Sequence, residues 1–197
     1  MSGSSRNPEN PEIMNARPVR RRAAGFSLME LIVVVAIIVV LAGLTMGGFN
    51  LVNQKNAREK AKIQLKLVEK ALEEYNGDNR SYPPSLDPSG ERGDEVLYKY
   101  LYYDGFEARD NGGVVYLPEL DPDNNSVTGK GKGGQLWMQG TGAQARILDP
   151  WGNFYRYRSG ESPGAQNPDF DLWSAGADGK TNADPKHKDS LDDIKNF

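Results

Sequence analysis

The 197-residue sequence has no cysteine and a single histidine, His187. Without cysteine there is no disulfide framework, no thiolate metal site and no cysteine nucleophile. Exported proteins need not use disulfides, so this does not count against export. His187 lies in a polar tail with no nucleophile or acid partner beside it in sequence, and reads as a solvated side chain. A phosphate loop is also missing. Thr128 to Gly134 (TGKGKGG) has glycine and lysine but no Gly-Lys-Ser/Thr and no preceding apolar strand, so it reads as a loop. Asp121-Pro-Asp123-Asn-Asn125-Ser126 opens like an EF-hand. It has Ser126 where the glycine belongs and Lys132 in place of the bidentate glutamate, so it reads as a turn. No repeat of 20–50 residues is visible.

Positive charge is scarce beyond the N-terminus. Residues 1–25 carry five arginines and two glutamates, a net of +3, and the remainder carries 19 basic and 25 acidic residues, a net of −6. A surface for nucleic acid needs a basic patch to release counterions, so no nucleic-acid partner is expected. The acidic balance favours a divalent cation over an anion as ligand. No nucleophile–base or catalytic carboxylate constellation stands out, and an enzyme is not expected.

What the chain does have is a long apolar run. Leu31 to Ala42 contains no polar side chain, and Gly43 and Leu44 extend it. Read as a helix, Phe26 to Phe49 would be about 36 Å long. That spans a hydrocarbon core of about 30 Å with some tilt, and it exceeds a signal-peptide core of about 7–15 residues. Arg20, Arg21 and Arg22 precede it, which keeps that end in the cytoplasm and sends the C-terminal part outside. Hydropathy alone leaves a signal peptide or a simple signal anchor open. Glu30 at the mouth of the run costs roughly 2.5–3.5 kcal/mol if placed deep, so it needs a partner or water. Gly43 and Gly47 form a small-xxx-small pair suited to close helix approach; weak helix propensity near the bilayer edge is the equal alternative.

Gly25-Phe26-Ser27-Leu28-Met29-Glu30 resembles the class III signal of type IV pilins and type II secretion pseudopilins. The resemblance implies a leader of residues 1–25, cleavage after Gly25 by a prepilin peptidase, and N-methylation of Phe26. Glu30 is then the retained carboxylate that acts in assembly. The physical logic agrees, because cleavage creates an amine close in sequence to Glu30, and such an amine on a neighbouring copy neutralises the carboxylate in lipid.

Past a membrane and assembly segment of 26–49, residues 50–77 read as an amphipathic continuation of the helix. Ala57, Ala61, Leu65, Val68, Leu72 and Tyr75 recur three or four apart and form one apolar stripe. Gly77 is suited to a left-handed cap, and Tyr82-Pro83-Pro84 forbids a restart. Residues 78–197 form the remaining domain. Asp94 to Tyr103 leans to helix, though its aromatics also allow a strand. Val114–Leu117, Gln135–Met138, Phe154–Arg158 and Phe170–Ser174 are strand candidates, and Asp149-Pro150-Trp151-Gly152-Asn153 is turn chemistry. Trp137, Trp151 and Trp173 read as core or sheet aromatics, and residues 104–146 as an insertion. The expected fold class is α+β, pilin-like: a long N-terminal helix, half of it transmembrane, packed on a small antiparallel sheet.

Leu148 to Arg158 (LDPWGNFYRYR) and Asp169 to Lys180 (DFDLWSAGADGK) are similar to the C-terminal part of the major pseudopilin of type II secretion. That likeness implies a C-terminal calcium loop held by Asp178, Asp192 and Asp193 with the backbone carbonyl of Ala175. Calcium takes six to eight hard oxygen ligands, so several must converge there. Thr181 to Lys188 departs from the family pattern and lengthens the interval from Asp178 to Asp192, so Asp184 and Asp189 are substitutes. The resemblance further implies a structural subunit of the inner membrane with its C-terminal domain in the periplasm. Its copies form a filament with minor pseudopilins and an inner-membrane secretion platform, and the filament drives protein export. A surface type IV pilin is one alternative, although such pilins usually close their C-terminal loop with a disulfide. A membrane-tethered calcium-binding domain that stays monomeric is the other.

Overall fold

The computed structural model describes residues 25–126, 137–184 and 186–197, with backbone only for 44–51. Residues 1–24 of the expected leader 1–25, the loop at 128–134 and the side chains around Gly47 lie outside the described residues. The chain divides at Thr45/Met46 into two units, and helix α1 (Leu28–Asn79) runs through the division.

In the first unit every described side chain of α1 is exposed, from Leu28 at 76% through Val34 at 47% to Leu41 at 56%. In this unit the side chains are described as far as Ala42. Among the described residues no helix is long and apolar enough to cross a membrane.

In the second unit α1 buries the expected stripe: Ala61, Leu65, Val68 and Leu72 are fully covered, while Ala57 and Tyr75 are half-covered. The helix passes Gly77 and stops at Arg80, whose φ of 57° breaks it; the Arg80 N–H closes the last turn on the Asn76 carbonyl at 2.7 Å. The left-handed terminator is therefore an arginine, not the glycine expected.

The expected helix at 94–103 exists as α2 (Gly93–Tyr98), a π-helical turn (Lys99–Tyr103) and α3 (Asp104–Glu107). Tyr98, Tyr102 and Phe106 stack at four-residue intervals along it, with centroids 5.7 and 5.4 Å apart. Gly93 admits α2 against the segment around Tyr157, whose backbone a Cβ would overlap. Short 3-10 turns at Arg109–Asn111 and Pro118–Leu120 lead to α4 (Pro122–Asn125), which Asp121 caps by accepting from the Asp123 N–H at 2.9 Å. The EF-hand-like stretch is thus one turn of helix.

Two small antiparallel sheets follow. β1 (Met138–Gln139) pairs with β2 (Arg146–Ile147), and β3 (Arg156–Ser159), β4 (Phe170–Ser174) and β5 (Ile194–Lys195) run in the order β3-β4-β5. The fold class is α+β, as expected for a pilin-like chain, and β4 has the expected bounds. Others differ. Val114–Leu117 is not a strand, because the Tyr116 and Leu117 N–H groups are both spent on the Leu101 carbonyl at 2.9 and 3.1 Å. Of Gln135–Met138, the first two residues lie outside the described residues and the strand begins at Met138. Phe154 makes only an isolated bridge to Leu148, and the strand begins at Arg156.

The core joins the α1 stripe to Leu97, Leu101, Ile147, Tyr155, Tyr157 and Leu172. Tyr155 reaches from the sheet side to α1, donating to the Gln64 Oε1 at 2.9 Å, and Tyr157 donates to the Pro83 carbonyl at 2.8 Å. Trp137 and Trp173 are buried and Trp151 is half-buried, as core aromatics should be.

Candidate functional site

Two places carry the expected functional residues, and each is built locally. At the start of α1, Ser27 is the N-cap. Its Oγ accepts from the Met29 N–H at 3.2 Å, and Glu30 turns back so that Oε2 accepts from the Ser27 N–H at 2.9 Å. This is a capping box, which satisfies two helix-end donors reciprocally and places a carboxylate at the positive end of the helix dipole. The sequence signal for it is Ser-x-x-Glu, Ser27 to Glu30. Gly25 and Phe26 precede the cap outside the helix and are exposed, Phe26 at 85%. The Gly25–Phe26 peptide is therefore accessible, and Glu30 lies one helical turn beyond it.

The second place is the segment after β4. Ala175 is buried, and Gly176 turns the chain with φ 65°, where a Cβ would fall 2.5 Å from the Asp192 Oδ2. The Asp178 N–H donates to that same Oδ2 at 3.1 Å, so the loop from β4 and the approach to β5 are tied together. Asp193, 9% exposed, accepts from the Thr181 hydroxyl through Oδ2 at 2.8 Å, while its Oδ1 is buried without a partner. Burial pushes the Asp193 carboxyl up, and the charges of Asp192 and Asp178 push it the same way. Asp178, Asp192 and Asp193 thus share one locus. Asp184 accepts from the Lys186 N–H and Asp189 sits 3.6 Å from the His187 Nδ1, so both serve their own turn. Among the described residues no group of three His, Asp or Glu side chains converges in a geometry ready to hold a metal. What the locus offers is hard oxygen donors, one of them buried with nothing to bind, which is the donor chemistry calcium takes.

Asp149 holds this region in place, although its sequence context shows only turn chemistry. The residue is 3% exposed. It accepts from the Trp151 and Asn153 N–H groups at 3.0 and 2.8 Å and from the Ser174 hydroxyl at 2.5 Å. Burial pushes its carboxyl up, and these hydrogen bonds pull against that. Asn153 in turn donates to the Gly176 carbonyl at 2.8 Å. The Asp-Pro-Trp-Gly-Asn turn therefore anchors the end of β4 and the loop that follows. Past β5, Asn196 continues the pairing: its Oδ1 accepts from the Leu172 N–H at 2.8 Å and its Nδ2 donates to the Phe170 carbonyl at 3.1 Å.

Two family models match the chain, one at each end. The family model for the prokaryotic N-terminal methylation motif matches residues 20–46, and the model for type II secretion system protein G matches residues 121–194. The type II secretion system core protein G of Pseudomonas aeruginosa is 31% identical over 161 residues, 82% of this chain and 88% of that protein. The core protein G of Aeromonas hydrophila is 29% identical over 178 residues (90% and 94%), and that of Escherichia coli 29% over 173 residues (88% and 90%). No solved structure matches significantly. With a motif at its start, a family domain toward its end and relatives that span nearly its whole length, the chain belongs to the type II secretion system protein G family, as a pseudopilin subunit.

Proposed function

We propose that this pseudopilin is made as a precursor, cleaved between Gly25 and Phe26, methylated on the new amine of Phe26, and polymerised through the apolar half of α1 into a periplasmic filament that drives protein export. The observation that carries this reading is the uncovered apolar surface from Phe26 to Leu41, where large side chains are 47–85% exposed and Glu30 stands at one end. So much exposed apolar area is stable only in lipid or against other helices. Residues 26–49 are then the membrane and assembly segment, anchored in the inner membrane with the later unit outside. The partners are other copies, minor pseudopilins, the inner-membrane secretion platform and the prepilin peptidase. In this scheme Glu30 exchanges its Ser27 N–H partner for the Phe26 amine of an adjacent subunit. As a structural subunit the chain needs no catalytic group.

The measurement that tests this is mass spectrometry of the N-terminus from native cells, which should show a methylated phenylalanine start. Glu30→Ala should be cleaved normally yet form at least about tenfold less filament, the loss of roughly 1.4 kcal/mol per contact or more. An intact N-terminus on a monomeric membrane protein would instead identify a tethered domain.

Calcium belongs to the same proposal. Asp178, Asp192 and Asp193 with the Ala175 carbonyl would hold it; the unpartnered Asp193 Oδ1 supports this. Bound there, the ion supplies positive charge to three neighbouring carboxylates and fastens β5 to the end of β4. Asp178→Ala should lower the unfolding temperature of the full chain in calcium and leave it unchanged in chelator. Wild-type melting curves that coincide in calcium and chelator would sink the calcium assignment alone.

A further inference from the structure

The outward face of α1 just beyond the apolar run has an unusual charge pattern. Residues 55–66 carry Lys55, Arg58, Lys60, Lys62 and Lys66 against Glu59, a net of +4, in a unit whose remaining residues 67–197 carry 14 basic and 23 acidic side chains. Lys62 and Lys66 pair with Glu59 and Glu69 on the same helix, and Lys55, Arg58 and Lys60 make no ion pair among the described residues. Two large apolar side chains stand among these cations, Val52 at 56% and Ile63 at 52% exposure. They lie opposite the buried stripe of Ala61, Leu65 and Val68, so no part of this unit's core covers them.

The α3–α4 region is its counterpart. Residues 104–123 contain Asp104, Glu107, Asp110, Glu119, Asp121 and Asp123 against Arg109 alone, a net of −5. Phe106 is 39% exposed and Val114 is 51% exposed. These two are neighbours, because Gly105 packs so closely on the Val114 backbone that a Cβ there would overlap it. Arg109 lies over the Phe106 ring at 4.3 Å, and Tyr102 stacks with the same ring at 5.4 Å. Asp121 caps α4 here, and Asp123 beside it is exposed. Glu107, Asp110 and Asp123 are exposed and make no ion pair among the described residues.

We propose that the lysine-ringed outer face of α1 around Val52 and Ile63 docks on the acidic, Phe106-centred surface of α3–α4 in a second copy of this chain. The proposal rests on the assembling-subunit reading above and adds the surfaces that meet outside the apolar helices. Each surface has an apolar centre and a charged rim, and the rims have opposite sign. The apolar contact supplies the anchor, while the charges steer the approach and fix the register. An anionic lipid surface is the competing partner for a basic helix. It fits less well: on a helix Arg58, Lys60, Lys62 and Lys66 lie about 14–26 Å beyond Phe49 and only Lys55 lies within about 9 Å, whereas surface attraction fades within a Debye length of about 8–10 Å.

The cysteine-free chain allows a cross-linking test without background. Full-length Ile63→Cys and Phe106→Cys variants co-expressed in the native cells should give a mixed disulfide dimer on mild oxidation. Adding Lys62→Glu and Lys66→Glu to the first variant should lower the cross-linked fraction about tenfold. Glu107→Lys with Asp110→Lys in the second variant should restore it. If Val39→Cys copies cross-link with one another but the 63–106 pair does not, this docking is overturned and the assembly reading stands. Failure of both cross-links overturns the assembly reading as well. Charge reversal that leaves the 63–106 cross-link untouched but abolishes binding to phosphatidylglycerol vesicles assigns the face to lipid and overturns the proposal.

Discussion

The two halves of α1 use one backbone conformation for opposite ends. Between Leu31 and Ala42 the side chains are apolar on every side and all are exposed; from Ala61 to Leu72 the stripe of Ala61, Leu65, Val68 and Leu72 is fully covered, and Ile63 on the opposite face is the exposed exception. A helix this long gains little from backbone propensity alone, so its stability comes from what covers it. The second half carries its own cover in the sheet and in α2. The first half has none among the described residues, and in the assembly proposed above its cover is lipid and other apolar helices. Apolar residues all round are the mark of immersion, and a single stripe is the mark of packing against a domain.

This contrast can be broken or sharpened by experiment. The largest effect should come from equal truncations in the two halves. Leu72→Ala should destabilise the domain by about 2–5 kcal/mol in thermal unfolding of the full chain in detergent. Ile37→Ala should leave that transition within about 0.5 kcal/mol of wild type. If both variants melted alike, the halves would share one cooperative fold and the contrast would collapse.

A second test uses alkali. Residues 26–51 contain no tyrosine, whereas the domain buries several. Burial, reinforced by the Glu73 carboxylate that accepts its hydrogen bond, pushes Tyr82 up to about 12; burial and Asp121 do the same for Tyr102. Tyr157 and Tyr155 are pushed up further by burial. Folded-state values above the usual 10 mean that these groups stabilise the fold fully below pH 10. That contribution is lost as pH rises through about 12, where the unfolded chain ionises first. Domain unfolding followed by near-ultraviolet circular dichroism should therefore begin above pH 10, while the helix of the first half persists in detergent. A domain still folded well above pH 12 would contradict the burial of these phenols.

The smallest effect should be Ser27→Ala. Losing the N-cap should cost about 1 kcal/mol locally. It should appear as faster amide exchange in the first turn of α1, with the domain transition unmoved.

How far the sequence could be read follows from the length of each signal. The α1 stripe and β4 were legible because four or more residues repeat one pattern, as in Ala61, Leu65, Val68 and Leu72. β2 and β5 were not, since Arg146-Ile147 and Ile194-Lys195 are too short to show a period. Val114-Val115-Tyr116 has strand composition, yet its following N–H groups are consumed by Leu101, a tertiary demand that no local pattern displays. At the sites, Gly25, Phe26 and Glu30 were legible from a compact motif. The acidic residues after β4 were legible as a group, though not their individual contacts. Asp149 was hidden inside ordinary turn chemistry, and only its burial against Ser174 and Asn153 reveals that it gathers the loop.

The pairing of β5 has a consequence for how the chain matures. β4 is flanked on one side by β3, completed about a dozen residues earlier, and on the other by Ile194–Lys195, which leave the ribosome some twenty residues later. Any product broken off before Ile194 would keep the helix and most of the core but present one bare edge of β4, with open backbone donors and acceptors. Incomplete molecules therefore expose a sticky flank that finished ones conceal, which gives a cell a physical basis for removing them before they enter a polymer.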